Sequence, residues 1–490
     1  KEKRFGCVIL SGIVRRREET LMSQQPKVHV SGIGGTAMVA GARLALEAGW
    51  EVRGSDQPLY PPTSDMVNAL GVPVATGYAA ENLDWQPDVV LLGNALSRGN
   101  PEVEAALERG LRYMSLPEWL KEHVLRKRLP VAICGTHGKT TTTALTAHVL
   151  HGCGLDPGYL IGGQPLDFPH SAHLGPEGAP FVIEGDEYDT AFFDKRAKFF
   201  HYLPRIAVVT SVEFDHGDIY ADLAEIELAF QRMLRQVPKS GWLIACADNH
   251  AAHLKEHAFS QTALYGFSET ADWRGEILGA DAGFQRLQIY REGLAWAQFD
   301  VPLAGKHNLQ NAIAAITVAA LLGAAPDALR DALRAFKGVR RRMEVFLEAR
   351  GITFIDDFAH HPTAIRETIA AARMRWPGQR LRVLFEPRSN TTVTKRFQND
   401  LEESFHHADE VWFGPIYRAD RIPEDTRLDR SAVVDALTSR GIPSHYTDDV
   451  QNIVQEGLRT AQPDDIVLIL SNGAFGGIYQ NFRLTISTHG

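Results

Sequence analysis

The residues best suited to chemistry form a short glycine-bounded stretch, Gly135-Thr136-His137-Gly138-Lys139-Thr140-Thr141. It follows an apolar run, Val131–Cys134, that predicts a buried strand, and a helical pattern comes after it. Backbone N–H groups in such a turn attract phosphate oxygens, Lys139 adds a positive charge, and the Thr140 hydroxyl can hold Mg²⁺. The stretch predicts a phosphate-binding loop, in a shortened form because Ile133 stands where the general pattern has glycine.

Acidic residues follow two further predicted strands. Phe181–Ile183 runs into Glu184, and Ile206–Thr210 leads to Asp215-His216. A carboxylate at the end of a strand beside a phosphate loop is a hard oxygen ligand for nucleotide-bound Mg²⁺, and His216 could bind a second metal or take a proton. The simpler alternatives are a solvated acidic loop and a surface histidine.

Composition bounds the architecture that must position these residues. The chain has 490 residues, 44% of them hydrophobic and 23% charged, which suits about three globular domains at roughly 150 residues each. A net charge of -9 argues against nucleic-acid and acidic-membrane partners, and no apolar run reaches the roughly 18 residues of a transmembrane helix. The four cysteines form no C-x-x-C pair, which favours a reducing cytosol over a disulfide framework or a zinc site.

Near the start, Val28–Val30 leads into Gly32-x-Gly34-x-x-Ala37, a helical stretch and a second strand that ends at Asp56. This is the dinucleotide-binding fingerprint with alanine at its third glycine, and it predicts a Rossmann-like domain. A further predicted strand, Asp88–Asn94, opens towards Ser97, where ligands of parallel sheets bind. The glycines could also serve helix packing alone, and an NAD-dependent dehydrogenase is an open alternative.

Late in the chain, apolar strands alternate with helical stretches and predict a second doubly wound sheet. The strand ends at Glu386–Thr391 and Ser471–Gly477 are expected to form a binding mouth. Arg388 is a candidate for a carboxylate ligand because a guanidinium fork binds carboxylates bidentately, and pairing with Glu386 is the alternative. The His360-His361 pair lacks the additional spaced ligands of a zinc site.

Five motifs occur in chain order, and together they resemble the Mur ligases of peptidoglycan synthesis over the chain from about Lys27 to its end. They are the phosphate loop, the Glu184 loop, Asp215-His216, Gly305-Lys306-His307-Asn308-Leu309-Gln310-Asn311-Ala312 and Arg341-Arg342. The resemblance implies an α/β protein of three domains: a Rossmann-like UDP-sugar domain over 27–127, a central P-loop ATPase-like parallel-sheet domain over 128–340, and a Rossmann-like peptide-binding domain over 341–490. Residues 1–26 are expected to be a disordered extension.

The resemblance also implies an ATP-dependent amide ligase that works through an acyl phosphate, with ATP and two Mg²⁺ ions. It implies that Lys139 contacts the phosphates, that Thr140 and Glu184 hold the first Mg²⁺, and that His216 holds the second. The other nucleotide residues that it implies are Asn308 for adenine, Asn311 in support, Asp357 for the ribose, and Arg341 or Arg342 for the γ-phosphate. Its UDP-sugar residues are Gly32, Gly34, Gly35, Thr36, Ser55, Asp56, Asn94 and Ser97, and its peptide residues are Arg388 and Asn390.

Two segments, Ser55–Pro62 and Glu184–Lys195, most resemble the branch of the family that recycles murein peptides. That branch implies UDP-N-acetylmuramate and the tripeptide L-alanyl-γ-D-glutamyl-meso-diaminopimelate as substrates, and the branch that adds L-alanine is the closest alternative. Several family members carry a carbamylated lysine on the helix after the Asp-His loop, but Leu223–Gln236 contains no lysine and Gln231 falls near that spacing. A nucleotide switch that hydrolyses ATP without forming an amide is the remaining alternative.

Overall fold

The computed structural model describes residues 25–60, 63–215, 219–281 and 283–488, which form two compact units. The first unit contains the described residues up to Arg128 together with Ala172–Gly178 and Asp189–Tyr202. The second contains Leu129–Ser171, Ala179–Tyr188 and the described residues from Leu203 onwards. Residues 1–24 of the expected N-terminal extension lie outside the described residues.

The strands and helices follow the predicted α/β alternation. The strands are β1 (Lys27–Ser31), β2 (Glu51–Asp56), β3 (Val74–Thr76), β4 (Val89–Leu92), β5 (Tyr113–Met114), β6 (Leu129–Cys134), β7 (Gly158–Leu160), β8 (Ala172–His173), β9 (Pro180–Gly185), β10 (Asp189–Ala191), β11 (Asp194–Ala197), β12 (Ile206–Val209), β13 (Trp242–Cys246), β14 (Gln261–Gly266), β15 (Trp273–Asp281), β16 (Phe284–Arg291), β17 (Leu294–Val301), β18 (Glu344–Ala349), β19 (Ile352–Asp357), β20 (Leu381–Phe385), β21 (Glu410–Phe413), β22 (Ser444–Tyr446) and β23 (Ile466–Leu470). The α-helices are Thr36–Glu47, Thr63–Asn68, Pro101–Glu108, Leu116–His123, Lys139–Gly152, Leu223–Leu234, Lys306–Leu321, Pro326–Arg334, Pro362–Arg375, Gln398–Ser404, Arg430–Ser439, Val450–Arg459 and Ile478–Thr488.

The first unit is built on a parallel sheet with the strand order β3-β2-β1-β4-β5. Val28 and Val30 of β1 are fully buried, as the short apolar run before the glycines predicts. The strand order changes direction on either side of β1, which places the Gly32 turn at the carboxyl edge where ligands of open parallel sheets bind. The Rossmann-like prediction for this part of the chain is confirmed.

The central sheet of the second unit has the order β17-β16-β15-β14-β13-β12-β6-β9-β7. Strand β6 lies between β12 and β9, and all three run parallel. The last residue of β6, Cys134, is in register with Val209 of β12 and with Gly185 of β9. The loops that follow these three strands therefore start from one edge of the sheet.

One part of the central sheet differs from the parallel sheet that the sequence predicted. Strands β15, β16 and β17 pair antiparallel and extend the sheet as a ribbon. Leu287 and Ile289, two positions apart in β16, are fully buried, and the turn into β17 has positive φ at Glu292 and Gly293. Both features are typical of a hairpin strand with one buried face.

The final sheet, also in the second unit, has the order β18-β19-β23-β20-β21-β22 and is parallel except for β18 at its edge. Phe385 at the end of β20 is in register with Leu470 at the end of β23. The segments that begin at Glu386 and Ser471 are therefore neighbours, as the sequence predicted. Among the described residues, no helix is both long and apolar enough to cross a membrane.

Candidate active site

Two glycines give the phosphate loop its shape. Gly135 has φ +127, and a Cβ there would lie 2.3 Å from the Thr210 hydroxyl oxygen. Gly138 has φ +79 and immediately precedes the helix Lys139–Gly152, and a Cβ there would lie 2.5 Å from Oδ1 of Asn311. Because both positions combine a positive φ with a close neighbour, neither accepts a side chain without strain.

The first half of the loop is fixed by the end of the neighbouring strand. The amide of Thr136 donates to the carbonyl oxygen of Ser211 at 3.0 Å, and the amide of His137 donates to the Ser211 hydroxyl at 2.9 Å. Since the first N–H groups of a helix have no intrahelical acceptor, the amides of Lys139, Thr140 and neighbouring Thr141 are the donors best suited to a phosphate. This arrangement fits a phosphate at the helix N-terminus.

The Lys139 ammonium is paired with a carboxylate. Its Nζ donates to both oxygens of Glu187, at 2.7 and 2.9 Å, and both side chains are largely buried. Burial alone would lower the pKa of Lys139, but the negative charges of Glu187 and Asp186 outweigh it and raise that pKa. Lys139 is therefore positively charged at neutral pH.

Thr140 and Glu184 lie together, as expected for residues that share a metal. The Thr140 hydroxyl donates to Oε1 of Glu184 at 3.2 Å, and the amide of Gly162 donates to Oε2 at 3.0 Å. A Cβ at position 162 would lie 2.4 Å from that carboxylate, so only glycine leaves room for it. Burial raises the pKa of Glu184, although the Lys139 charge opposes this. The hydroxyl and carboxylate oxygens are hard donors, so these residues fit Mg²⁺.

The structure separates the two arginines that the sequence could not distinguish. Nη2 of Arg342 donates to the Thr140 hydroxyl at 3.3 Å and therefore lies at the phosphate loop. Arg341 instead pairs with Asp356 at 3.2 Å and donates to the carbonyl oxygen of Ser471 at 2.6 Å. The Arg341 guanidinium is therefore held at the end of the final sheet, and its contact with phosphate stays a prediction.

The loop opens onto a cavity of about 870 Å³, within the size range of small-molecule and nucleotide sites. Asn308 and Asn311 line it, and Nδ2 of Asn308 donates to the carbonyl oxygen of Ala304 at 2.8 Å. Asp357 also lines it, but its oxygens accept the amides of Met343 and Ala359 at 2.7 and 2.8 Å. These bonds hold the Asp357 carboxylate beside the cavity, and its oxygens keep acceptor capacity for a ribose hydroxyl.

A polar cluster links the phosphate loop to the helix Pro362–Arg375. Oε2 of Glu213 lies 3.3 Å from Nε2 of His137 and accepts the Thr363 hydroxyl at 2.8 Å. Burial alone would raise the pKa of Glu213, but these partners lower it to about 2. Burial and the nearby charge of His137 lower the pKa of His361 to about 4. At neutral pH the cluster therefore holds an ionised Glu213 and a neutral His361.

The predicted binding mouth forms a polar pocket of about 200 Å³. Arg388 and Asn390 line it, together with Asp215 and Asn472. Nη1 of Arg388 lies 3.4 Å from Glu386, which is the alternative that the sequence left open, yet the guanidinium still borders the pocket. The Thr391 hydroxyl donates to Oδ1 of Asp215 at 2.6 Å and joins this loop to the strand end before His216, which lies outside the described residues.

In the first unit, the glycine turn and the acid at the end of β2 meet. Oδ2 of Asp56 accepts the amide of Gly34 at 2.7 Å, and Gly32 has φ +79. Of the predicted UDP-sugar residues, Gly35, Thr36, Asn94 and Ser97 are exposed. Ser55 was expected to contact the UDP-sugar, but it is fully buried and donates to Glu102 at 2.6 Å. The Ser55 side chain therefore faces the interior, and its contact with the UDP-sugar stays a prediction.

Glu102 is a fully buried carboxylate below this turn. Burial alone would raise its pKa, but hydrogen bonds from His29, Ser31, Ser55 and Asn82 lower it to about 2. A carboxyl with a depressed folded-state pKa stabilises the protein above its unfolded pKa of about 4.3, and this contribution is lost as the pH falls towards 2.

We therefore expect Glu102→Gln to destabilise the first unit by about 3 kcal/mol at pH 7, at ~1.4 kcal/mol per pKa unit. Hydrogen exchange of the β1 amides would measure the change. The difference from the wild type should shrink between about pH 5 and pH 2. A difference that does not depend on pH would contradict this role of the ionised carboxylate.

Three family models match the chain in order. The Mur ligase family catalytic domain matches residues 27–128, the Mur ligase middle domain matches 133–319, and the Mur ligase glutamate ligase domain matches 341–473. The chain is 42% identical to the UDP-N-acetylmuramate–L-alanyl-γ-D-glutamyl-meso-2,6-diaminoheptandioate ligase of Escherichia coli (strain K12), over 93% of this chain and 97% of that protein. The chain belongs to the Mur ligase family. Members of this family are ligases that form amide bonds and use ATP and Mg²⁺.

Two further family members are similar over most of the chain. The crystal structure of a murein peptide ligase from Psychrobacter arcticus 273-4 is 36% identical with a TM-score of 0.70, and the match covers 94% of this chain and 98% of that one. A UDP-N-acetylmuramate–L-alanine ligase from Desulforapulum autotrophicum is 33% identical over 91% of this chain and 95% of that protein. By sequence identity, this L-alanine ligase is less similar to the chain than the Escherichia coli ligase is.

The sequence predictions did not single out Glu187 or Glu213. Glu187 belongs to the acidic loop that contains Glu184, and Glu213 comes just before the Asp-His motif. Both motifs were recognised, but motif spacing does not tell which carboxylate pairs with which base. A search for every acid at the carboxyl ends of β9 and β12 would have found both.

Proposed function

We propose that this chain joins the lactyl carboxylate of UDP-N-acetylmuramate to the amine of L-alanyl-γ-D-glutamyl-meso-diaminopimelate, with ATP as energy source, in the recycling of cell-wall peptides. The observation that carries the proposal is the 42% identity, over nearly the full length of both chains, to a ligase named for these substrates. The phosphate loop and its cavity supply the ATP site that such a reaction requires.

The reaction divides into two displacements. An oxygen of the lactyl carboxylate attacks the γ-phosphorus of ATP, ADP leaves, and an acyl phosphate forms. The peptide amine then attacks the acyl carbon, loses a proton, and expels inorganic phosphate that retains one oxygen of the original carboxylate. Lys139 and Arg342, both at the phosphate loop, would stabilise negative charge on the transferred group.

We assign one Mg²⁺ to Thr140 and Glu184, whose oxygens lie 3.2 Å apart. When bound there, Mg²⁺ would neutralise charge on the phosphates. We assign a second Mg²⁺ to the region of His216. Because Leu223–Gln236 contains no lysine, this second site would be completed without the carbamylated lysine of other members. Asn308, with support from Asn311, is assigned to adenine, and Asp357 to the ribose side of the cavity.

The acyl phosphate must be protected from water. Three hydrogen bonds join the central sheet to the final sheet around the cavity: Thr140 to Arg342, Glu213 to Thr363, and Asp215 to Thr391. We propose that these contacts form when the amine site closes on the ATP site, which would exclude water during transfer. In this proposal residues 27–127 bind the UDP-sugar, residues 128–340 bind ATP and residues 341–490 bind the peptide. We also propose that the enzyme is cytoplasmic.

We assign Arg388 and Asn390 to the incoming peptide. Arg388 lies over the ring of Tyr417 at 3.7 Å from its centroid, and a Cβ at Gly473 would lie 2.1 Å from its Nε. Gly473 thus leaves room for the guanidinium, which stacks on Tyr417 beside the pocket, and such a group suits a peptide carboxylate. The asparagine amide can both donate and accept hydrogen bonds along a peptide backbone.

The decisive experiment offers L-alanine and the tripeptide in parallel with ATP, Mg²⁺ and UDP-N-acetylmuramate. We expect kcat/KM for the tripeptide to exceed that for L-alanine by at least about a hundredfold, since the buried polar groups of the peptide site would be left unpaired by alanine. Mass spectrometry of the product identifies the amide. A preference for free L-alanine would assign the chain to the other branch, and ATP hydrolysis without an amide would indicate a nucleotide switch.

A further inference from the structure

The ammonium of Lys139 has no hydrogen-bond donor left for a phosphate in this structure. A lysine ammonium carries three N–H donors. Nζ lies 2.7 and 2.9 Å from the two oxygens of Glu187 and 3.5 Å from the carbonyl oxygen of Thr136. A phosphate can reach this lysine only by displacing at least one of these acceptors.

The Lys139–Glu187 ion pair is buried rather than exposed to solvent. The side chain of Lys139 is 12% exposed and that of Glu187 is 3% exposed, so water screens their attraction weakly. Removing either partner would take away a close opposite charge at a site that water screens weakly. The two groups therefore hold each other in place.

We propose that Glu187 is an exchangeable counter-ion of the phosphate-loop lysine, which it holds in the loop while the site is empty and releases to the triphosphate when ATP binds. The inference rests on the proposed ATP site. The two oxygens of the Glu187 carboxylate occupy Lys139 as two phosphate oxygens would, but they carry one negative charge whereas the triphosphate carries about four. The triphosphate therefore displaces the Glu187 carboxylate from Lys139. Breaking the ion pair reduces the net free energy of ATP binding.

The surroundings of Glu187 favour a side-chain exchange over a movement of the loop. The Tyr220 hydroxyl donates to the main-chain oxygen of Glu187 at 2.8 Å and fixes the backbone at this point. Glu187 is therefore a positioning residue. It keeps Lys139 directed into the loop, and it raises the apparent Kd for ATP in inverse proportion to the fraction of protein in which the lysine is released.

The test is the affinity of Glu187→Gln for ATP, measured by calorimetry with and without Mg²⁺. Glutamine keeps the shape of the side chain but removes its charge, so Lys139 becomes available, and we expect ATP to bind at least about tenfold more tightly. In a Lys139→Met background the same change should give no gain, because no lysine remains to be released. Glu256→Gln, which removes an exposed carboxylate that does not line the cavity, is the charge-matched control and should change Kd by less than about twofold.

Unchanged or weaker binding of ATP by Glu187→Gln would overturn the proposal, as would an equal gain in the Lys139→Met background. Should the glutamine variant fail to fold, Glu187→Asp keeps the charge but shortens the side chain, and a smaller gain of about threefold is then expected. An aspartate variant without any gain would also overturn it. If the wild type itself does not bind ATP, the proposed function fails, and that outcome is distinct from a failed exchange.

Discussion

Replacement of Lys139 by alanine is expected to lower turnover by at least about a thousandfold, equivalent to roughly 4 kcal/mol of transition-state stabilisation. Lys139 lies at the start of the helix behind the phosphate loop, where its charge would follow the transferred phosphoryl group. The binding of UDP-N-acetylmuramate should be unchanged, because the residues assigned to it belong to the first unit. Turnover would be followed by ADP release and sugar binding by calorimetry.

The matched control for this variant is Lys255→Ala, which removes an exposed lysine that does not line the cavity. It should keep the wild-type turnover. Because Lys139→Ala also leaves Glu187 without its buried partner, thermal melting should accompany the kinetics to separate lost activity from lost structure. A folded Lys139→Ala enzyme with turnover near the wild type would count against the placement of ATP.

Arg342→Ala should lower turnover about a hundredfold, with little change in stability. Its guanidinium donates to the Thr140 hydroxyl and lies over the ring of Phe358, so it is held beside the group that is transferred. The loss of one preorganised donor to a developing charge typically lowers kcat by 10²–10³. Initial rates at saturating substrates would measure this effect.

The two preceding arginines are internal controls for Arg342. Arg340 is exposed and lies 3.6 Å from Glu344, so Arg340→Ala should leave turnover unchanged. Arg341→Ala should destabilise the protein by about 2 kcal/mol, because the buried Asp356 would lose its ion-pair partner and keep only the Tyr479 hydroxyl. If Arg341→Ala lost turnover at full stability while Arg342→Ala retained it, our assignment of these two residues would be reversed.

The residues that meet at one edge of the central sheet could be predicted, because the carboxyl ends of parallel strands lie on the same side of a sheet. The apolar runs before Gly135, Glu184 and Asp215 identified three strands, and the carboxyl ends of parallel strands lie along one edge of a sheet. Lys139, Glu184 and Asp215 do line one cavity. His216 lies outside the described residues, so its role as a metal ligand remains a prediction.

Other features depended on backbone detail that residue types do not specify. Arg341 has a positive φ of 60°, and this sends its side chain into the final sheet while that of Arg342 reaches the phosphate loop. Ser55 and Asp56 are adjacent in β2, and since neighbouring strand residues face opposite sides, they were poor candidates to contact one ligand together. The partner of Lys139 lies 48 residues away, which no local pattern could identify.

The most direct test of the proposed acyl-phosphate mechanism follows an oxygen atom from substrate to product. UDP-N-acetylmuramate labelled with ¹⁸O in its lactyl carboxylate would be ligated to the tripeptide, and the released phosphate analysed by mass spectrometry. Ligation through an acyl phosphate should place one ¹⁸O in the released phosphate for every amide formed, because the labelled oxygen bridges carbon and phosphorus and leaves with the phosphorus. Amide formation with unlabelled phosphate would contradict it.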